Sequence, residues 1–97
     1  METEEMVFVR KQLEEAVTRG EAINRLIKNK DFKSIILESY LKDTLIGLGH
    51  QLSSQFKPEM RQAITEQILS RGNLQAFLQM MLDDAARASN ELSELGA

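Results

Sequence analysis

The sequence predicts an all-α protein, and three observations indicate this class. The chain of 97 residues has one proline and five glycines, which leaves little turn chemistry for a multi-stranded sheet. Residues with a strong helix preference, such as Leu, Gln, Glu, Ala and Lys, are abundant. Two long segments carry apolar residues at alternating spacings of three and four. We therefore expect two long terminal helices with about three shorter helices between them.

The first long helix is predicted to begin after Thr3, which is a suitable N-cap. Glu4 and Glu5 complement the positive end of its dipole. Gly20 weakens the helix interior by about 1 kcal/mol relative to Ala. The apolar stripe of this helix is a heptad seam made of Met6, Val9, Leu13, Ala16, Gly20, Ile23 and Ile27.

Two short helices are expected next. Asp31 is a candidate cap for a helix near residues 32–42, whose dense aliphatic side chains bury more than one face. Asp43 or Thr44 is a candidate cap for a helix over residues 45–52.

The third short helix and the last long one follow a loop at residues 53–57. Pro58 suits the first position of a helix, and Gly72 is expected to end it. Asn73 then caps the final helix. That helix carries a second heptad seam made of Leu74, Leu78, Met81, Ala85, Ala88, Leu92 and Leu95.

The two seams have the same length, which predicts that they pair as an antiparallel hairpin inside one domain spanning residues 1–97. Each seam covers 21 residue steps, or about 32 Å. The middle helices are expected to pack at one end of the hairpin, on residues 74–82. Pairing between chains stays open as an alternative. The expected facing pairs are Leu13 with Ala88, Ala16 with Ala85, and Gly20 with Met81.

Composition narrows the class of protein. A hydrophobic fraction of 42% and a charged fraction of 28% are typical of globular chains, and the net charge is −3. The absence of cysteine excludes disulfide scaffolds and thiolate zinc sites. The acidic start lacks a signal-peptide pattern, and no apolar run is long enough for a membrane span. We expect a protein of the cytoplasm or of a virion, without membrane partners.

The sequence contains no recognisable catalytic motif. His50 is the only histidine, and no nucleophile motif accompanies it. No glycine-rich phosphate loop, metal-ligand spacing or nucleophile elbow is present. We therefore expect a non-enzymatic protein without a cofactor or metal. A small enzyme centred on His50 is a third hypothesis.

A run of four apolar residues near the start is the candidate partner-binding site. Only Met6 and Val9 belong to the first seam, so Val7 and Phe8 are left without an assigned place in the hairpin. Exposed at the end of a helix, Met6, Val7 and Phe8 would mark an interface with another protein or a second copy. In the alternative interpretation a middle helix covers Val7 and Phe8 and makes them ordinary core.

A small basic cluster favours a different function. Arg25, Lys28, Lys30 and Lys33 lie close together in the sequence, with Asp31 among them. Such a cluster can bind nucleic-acid phosphates, or it can simply compensate the negative end of a helix dipole. A nucleic-acid-associated regulator is therefore the alternative hypothesis.

The segment from Ile23 to Lys42 resembles small helical accessory proteins encoded among the head and structural genes of tailed bacteriophages. Their common pattern is a leucine-rich helix, then Asn-x-Asp-Phe, then an aliphatic helix that ends in Tyr-Leu. Asn29, Asp31 and Phe32 match the middle of that pattern, although Lys30 stands where the family usually has proline. The resemblance implies a helical binding component used in particle assembly or host interaction, in the host cytoplasm or the virion. It implies no catalytic residues.

Overall fold

The protein is helical almost throughout the part of the chain that the structure, a computed structural model, describes, which is residues 3–96. Those residues contain no strand, so the all-α class is confirmed. None of the helices within residues 3–96 combines the length and apolar character needed to cross a membrane. The elements in chain order are α1 (Glu4–Lys28), α2 (Lys30–Phe32), a π-helix (Lys33–Asp43), α3 (Thr44–Ser54) and α4 (Pro58–Gly96).

Side-chain caps define the starts of α1 and α2. The Thr3 hydroxyl accepts a hydrogen bond from the Met6 amide at 3.1 Å, which confirms the expected N-cap. Asn29 separates the two helices with an extended backbone, and its side chain accepts from the Phe32 amide at 3.0 Å. The prediction that Asp31 caps this helix is therefore wrong. Asp31 lies in the first turn, where a carboxylate complements the helix dipole.

The middle segment is one uninterrupted helical stretch rather than two capped helices. No residue separates α2, the π-helix and α3. Asp43 has a helical backbone and its side chain makes no capping bond, so the cap predicted at Asp43 or Thr44 is wrong. The Thr44 amide donates to the Ser39 carbonyl, five residues back. Because the wider register keeps backbone groups paired up to α3, no cap is needed there.

Helix α4 is 39 residues long and contains the position where we expected a break. Its start at Pro58 confirms that prediction. Gly72 and Asn73 lie in its interior, so the expected stop and restart are wrong, and the predicted third short helix is the first part of α4. Gly72 has no positive φ. An interior glycine costs only about 1 kcal/mol, which neighbouring helical residues can offset.

The chain forms two compact units. Unit 1 consists of Met1–Leu26 with Leu78–Ala97, and unit 2 consists of Ile27–Phe77. Helix α4 contributes to both, since its residues up to Phe77 belong to unit 2 and those after it to unit 1.

Unit 1 is formed by α1 and the last part of α4. Gly20 and Ala88 are buried. A side chain at Gly20 would meet the Cβ of Ala85 first, while the Met81 carbonyl oxygen lies 3.9 Å from the same Cβ position. Gly20 therefore has the Met81 backbone nearby, as the predicted pair requires, but its nearest neighbour is Ala85, one helical turn further along α4. Leu13, Ala16 and Ala88 line one common groove of about 280 Å³.

Unit 2 has its buried apolar side chains on three elements. Leu41 of the π-helix, Leu48 of α3 and Ile64 of α4 are buried. Arg61 and Arg71 of α4 make its side-chain hydrogen bonds to α3 and to the segment that follows α3. Both lie before residues 74–82, where we expected the middle helices to pack.

Candidate protein-binding surface

The first two turns of α1 expose a run of large apolar side chains. The exposed fractions are 45% for Met6, 52% for Val7, 60% for Phe8 and 41% for Val9. Four consecutive helical residues point about 100° apart and surround the helix, so a single neighbouring helix cannot cover them all. These side chains form an apolar collar at the start of unit 1, and we call residues 6–9 the collar.

The collar divides into two parts by its contacts within unit 1. Met6 and Val9 line a groove of about 180 Å³ together with Leu95 of α4, and the charged residues Glu5 and Arg10 also line it. Val7 and Phe8 do not line this groove. Because they are also the two most exposed members of the collar, they are available to a partner.

The sequence identified three members of this surface but not its full extent. Met6, Val7 and Phe8 were named from the apolar run alone, and the structure places all three on the exposed collar. Leu95 was assigned to the second seam, yet it remains 44% exposed beside Met6 and Val9. Its position as the last residue of that seam was the available signal, because the end of a seam has no next layer to cover it.

The predicted basic cluster is divided between the two units. Arg25 belongs to unit 1, whereas Lys28, Lys30 and Lys33 belong to unit 2. All four side chains are exposed. Within unit 2, the three lysines border the junction between α1 and α2, where Asn29 caps the second helix.

His50 lies in α3 and is exposed. Its backbone carbonyl accepts hydrogen bonds from the Ser53 hydroxyl at 2.8 Å and from the Ser54 hydroxyl at 3.3 Å. The nearby hydroxyls are thus engaged with the backbone, in the manner common for serine at the end of a helix. This arrangement does not resemble a nucleophile activated by an imidazole base.

Unit 2 contains a polar cluster that the sequence did not reveal. The Arg71 guanidinium lies 4.3 Å from the centre of the Tyr40 ring, and its Nε donates to the Thr44 hydroxyl at 2.9 Å. The Thr44 hydroxyl in turn donates to the Tyr40 carbonyl. A second bond from Arg71 reaches the Gln67 carbonyl at 3.1 Å. The cluster joins α4 to the C-terminal end of the π-helix and to the first residue of α3.

The described part of the chain has no candidate metal-binding site. Within residues 3–96, no three histidine, aspartate or glutamate side chains are grouped closely enough to hold a metal ion.

No protein-family model, no curated protein and no solved structure matches this chain.

Proposed function

We propose that the chain is a non-enzymatic accessory protein that binds another protein chain through the collar of α1. One observation carries this proposal: Met6, Val7, Phe8 and Val9 are 41% to 60% exposed on a helix. Large apolar side chains grouped in this way are typical of interfaces, and aromatic residues contribute most to binding. Following the resemblance to phage accessory proteins, we place this role in particle assembly or host interaction, in the host cytoplasm or the virion.

We further infer that α1 and the last part of α4 form an antiparallel coiled-coil hairpin that presents the collar. Early residues of α1 share a groove with Leu95, whereas Leu13 and Ala16 share one with Ala88. Contacts that run in opposite directions along two helices support an antiparallel pairing. A rigid hairpin would lower the entropy cost of binding, because the collar would be ordered in advance.

The experiment compares Phe8→Asp with Asn90→Asp, which adds the same charge at an exposed position of unit 1. Each tagged full-length variant is used to capture proteins from the native host, followed by mass spectrometry. We expect the same partner, including any copy of the chain itself, with the wild type and Asn90→Asp. Phe8→Asp should lose that partner while its free energy of unfolding changes by less than about 0.5 kcal/mol.

Two results would overturn this proposal. A Phe8→Asp chain that unfolds would identify Phe8 as a core residue, because a buried charge costs several kcal/mol. Identical capture by the wild type and both variants would mean that the captured partner does not bind through Phe8 of the collar.

The nucleic-acid-associated regulator is the alternative proposal, and it is favoured by the exposure of Lys28, Lys30 and Lys33 on unit 2. Its test is binding to labelled duplex and single-stranded DNA at several salt concentrations. If these lysines and Arg25 contact phosphates, log K should fall with log salt at a slope of about −0.9 per contact on duplex DNA. Charge reversal of the four residues should abolish binding. Affinity that is unaffected by salt or by the reversal would exclude this role.

A further inference from the structure

The two most exposed collar residues lie on a face of α1 that also carries one charge of each sign. Glu4 precedes Val7 by three residues and Phe8 by four, and Lys11 follows them by four and three. Residues at these spacings share one side of a helix. All four side chains are exposed. We call Glu4, Val7, Phe8 and Lys11 the Phe8 face.

The order of charges on the Phe8 face is self-complementary when two copies of α1 run in opposite directions. A two-fold axis between Val7 and Phe8 brings Glu4 of each copy opposite Lys11 of the other. The same axis brings Val7 opposite Phe8. A parallel arrangement would instead place each charge opposite its own kind, which is unfavourable. Closed two-fold contacts of this kind are the commonest way in which soluble proteins assemble.

From these positions we infer that the partner of the Phe8 face is a second copy of this chain, bound through an antiparallel α1–α1 contact. The inference rests on the proposed function and names the partner of its collar. Two apolar residues would form the centre of the contact on each copy, and an ion pair would close each end. Two helical turns form a small contact compared with the roughly 800 Å² per partner of standard interfaces. The dimer is therefore weak and depends on protein concentration.

The experiment exchanges the charges and follows the association of the full chain by sedimentation velocity at low salt. Glu4→Lys alone places lysine opposite Lys11, and Lys11→Glu alone places glutamate opposite Glu4. Each single variant should dimerise at least tenfold more weakly than the wild type. Circular dichroism checks that every variant is helical. The matched control is Glu94→Lys, which reverses an exposed charge elsewhere in unit 1 and should dimerise like the wild type.

Recovery of the dimer is the decisive measurement. An equimolar mixture of the two single variants should form a mixed dimer, because every facing pair then has opposite charges. The double variant Glu4→Lys/Lys11→Glu should form a dimer with itself for the same reason. Loss of the dimer in each single variant, followed by recovery in the mixture and in the double variant, requires position 4 of one copy to face position 11 of the other, as in an antiparallel pairing. Both recoveries also show that the single substitutions leave the chain folded.

Three results would overturn the inference: a wild-type chain that stays monomeric at high concentration, single variants that dimerise normally, or a mixture that does not recover. If the wild type is monomeric but a different protein is captured only when Phe8 is intact, the second copy is excluded while the proposed function stands. If neither self-association nor capture depends on Phe8, both proposals fail.

Discussion

Gly20 lies in α1 where the helix meets Ala85 of α4. A methyl group at Gly20 would overlap the Ala85 Cβ, which is attached directly to the backbone and cannot rotate away. We predict that Gly20→Ala lowers the free energy of unfolding by about 1 kcal/mol. Overpacking of a tight contact costs roughly 1 to 3 kcal/mol, and the gain in helix propensity returns only about 1 kcal/mol. Urea unfolding measures the difference.

Gly72 supplies the control for this substitution. It is also inside a helix, but a methyl group there would meet no atom within 4 Å. Gly72→Ala should therefore raise the free energy of unfolding by up to about 1 kcal/mol. The exchanged variant Gly20→Ala/Ala85→Gly should return close to the wild type. If Gly20→Ala were as stabilising as Gly72→Ala, there would be no tight contact at Gly20.

The contact of Arg71 with the Tyr40 ring is a second prediction at the scale of single residues. The guanidinium lies 4.3 Å from the ring centre, and both residues are partly buried. We expect a coupling free energy of about 0.5 to 1 kcal/mol between them. A double-mutant cycle with Arg71→Gln and Tyr40→Leu isolates this contribution from the bond between Arg71 and Thr44. Additive effects, within about 0.3 kcal/mol, would show that the two groups do not interact.

At the scale of elements, the C-terminal end of α3 is capped by hydrogen bonds from a side chain of α4. Arg61 donates to the Leu52 carbonyl at 2.6 Å and to the Gln55 carbonyl at 2.8 Å. The last carbonyls of a helix have no partner in the helix itself, and a cation also complements the negative end of its dipole. The sequence offered no glycine after α3 to serve as a C-cap. Arg61 takes that role from another helix.

We predict that Arg61→Ala costs about 0.5 to 1.5 kcal/mol and increases amide hydrogen exchange at the end of α3. Lys57→Ala removes the same charge from the connecting segment and serves as the control. It should leave the exchange rates near Leu52 unchanged. Equal exchange in the two variants would mean that the Arg61 bonds contribute nothing to this helix end.

Local signals in the sequence predicted some helix ends and missed others. The helix starts predicted at Thr3 and Pro58 were correct, because a cap and a first-turn proline act within a few residues of their own position. The helix stop predicted at Gly72 was wrong because a glycine destabilises a helix interior by only about 1 kcal/mol, which is less than the stabilisation from packing on either side of it. The π-helix was missed because no local pattern in the sequence marks it, although it carries the buried Leu41 and the Tyr40 ring that contacts Arg71 of α4.

Local sequence signals predicted the candidate surface only in part as well. The apolar run at Met6, Val7 and Phe8 is visible in the sequence, since four adjacent apolar residues exceed what one seam can use. The groove that adds Leu95 depends on which distant residue meets α1, and no local pattern contains that information.

Considered as a whole molecule, the chain buries few of its large apolar side chains. Among residues 3–96, thirteen large hydrophobic side chains are exposed and four apolar residues are buried, and none of them is fully buried. We predict that the isolated chain is marginally stable and that its Tm rises with protein concentration, because association that covers apolar surface stabilises the folded state. Calorimetry at two widely separated concentrations checks this. A Tm that is the same at both would show that the folded state does not associate.

Tyr40 allows the unfolding of unit 2 to be followed separately. It is the only tyrosine, the chain has no tryptophan, and Tyr40 lies in unit 2 against Arg71. Intrinsic ultraviolet emission therefore reports on unit 2 without any label, whereas circular dichroism follows the helices of both units. If the two signals share one denaturation midpoint, the chain unfolds as a single cooperative domain. A partial loss of circular dichroism that precedes the change in Tyr40 emission would make unit 1, with its collar, an element that can open while unit 2 stays folded.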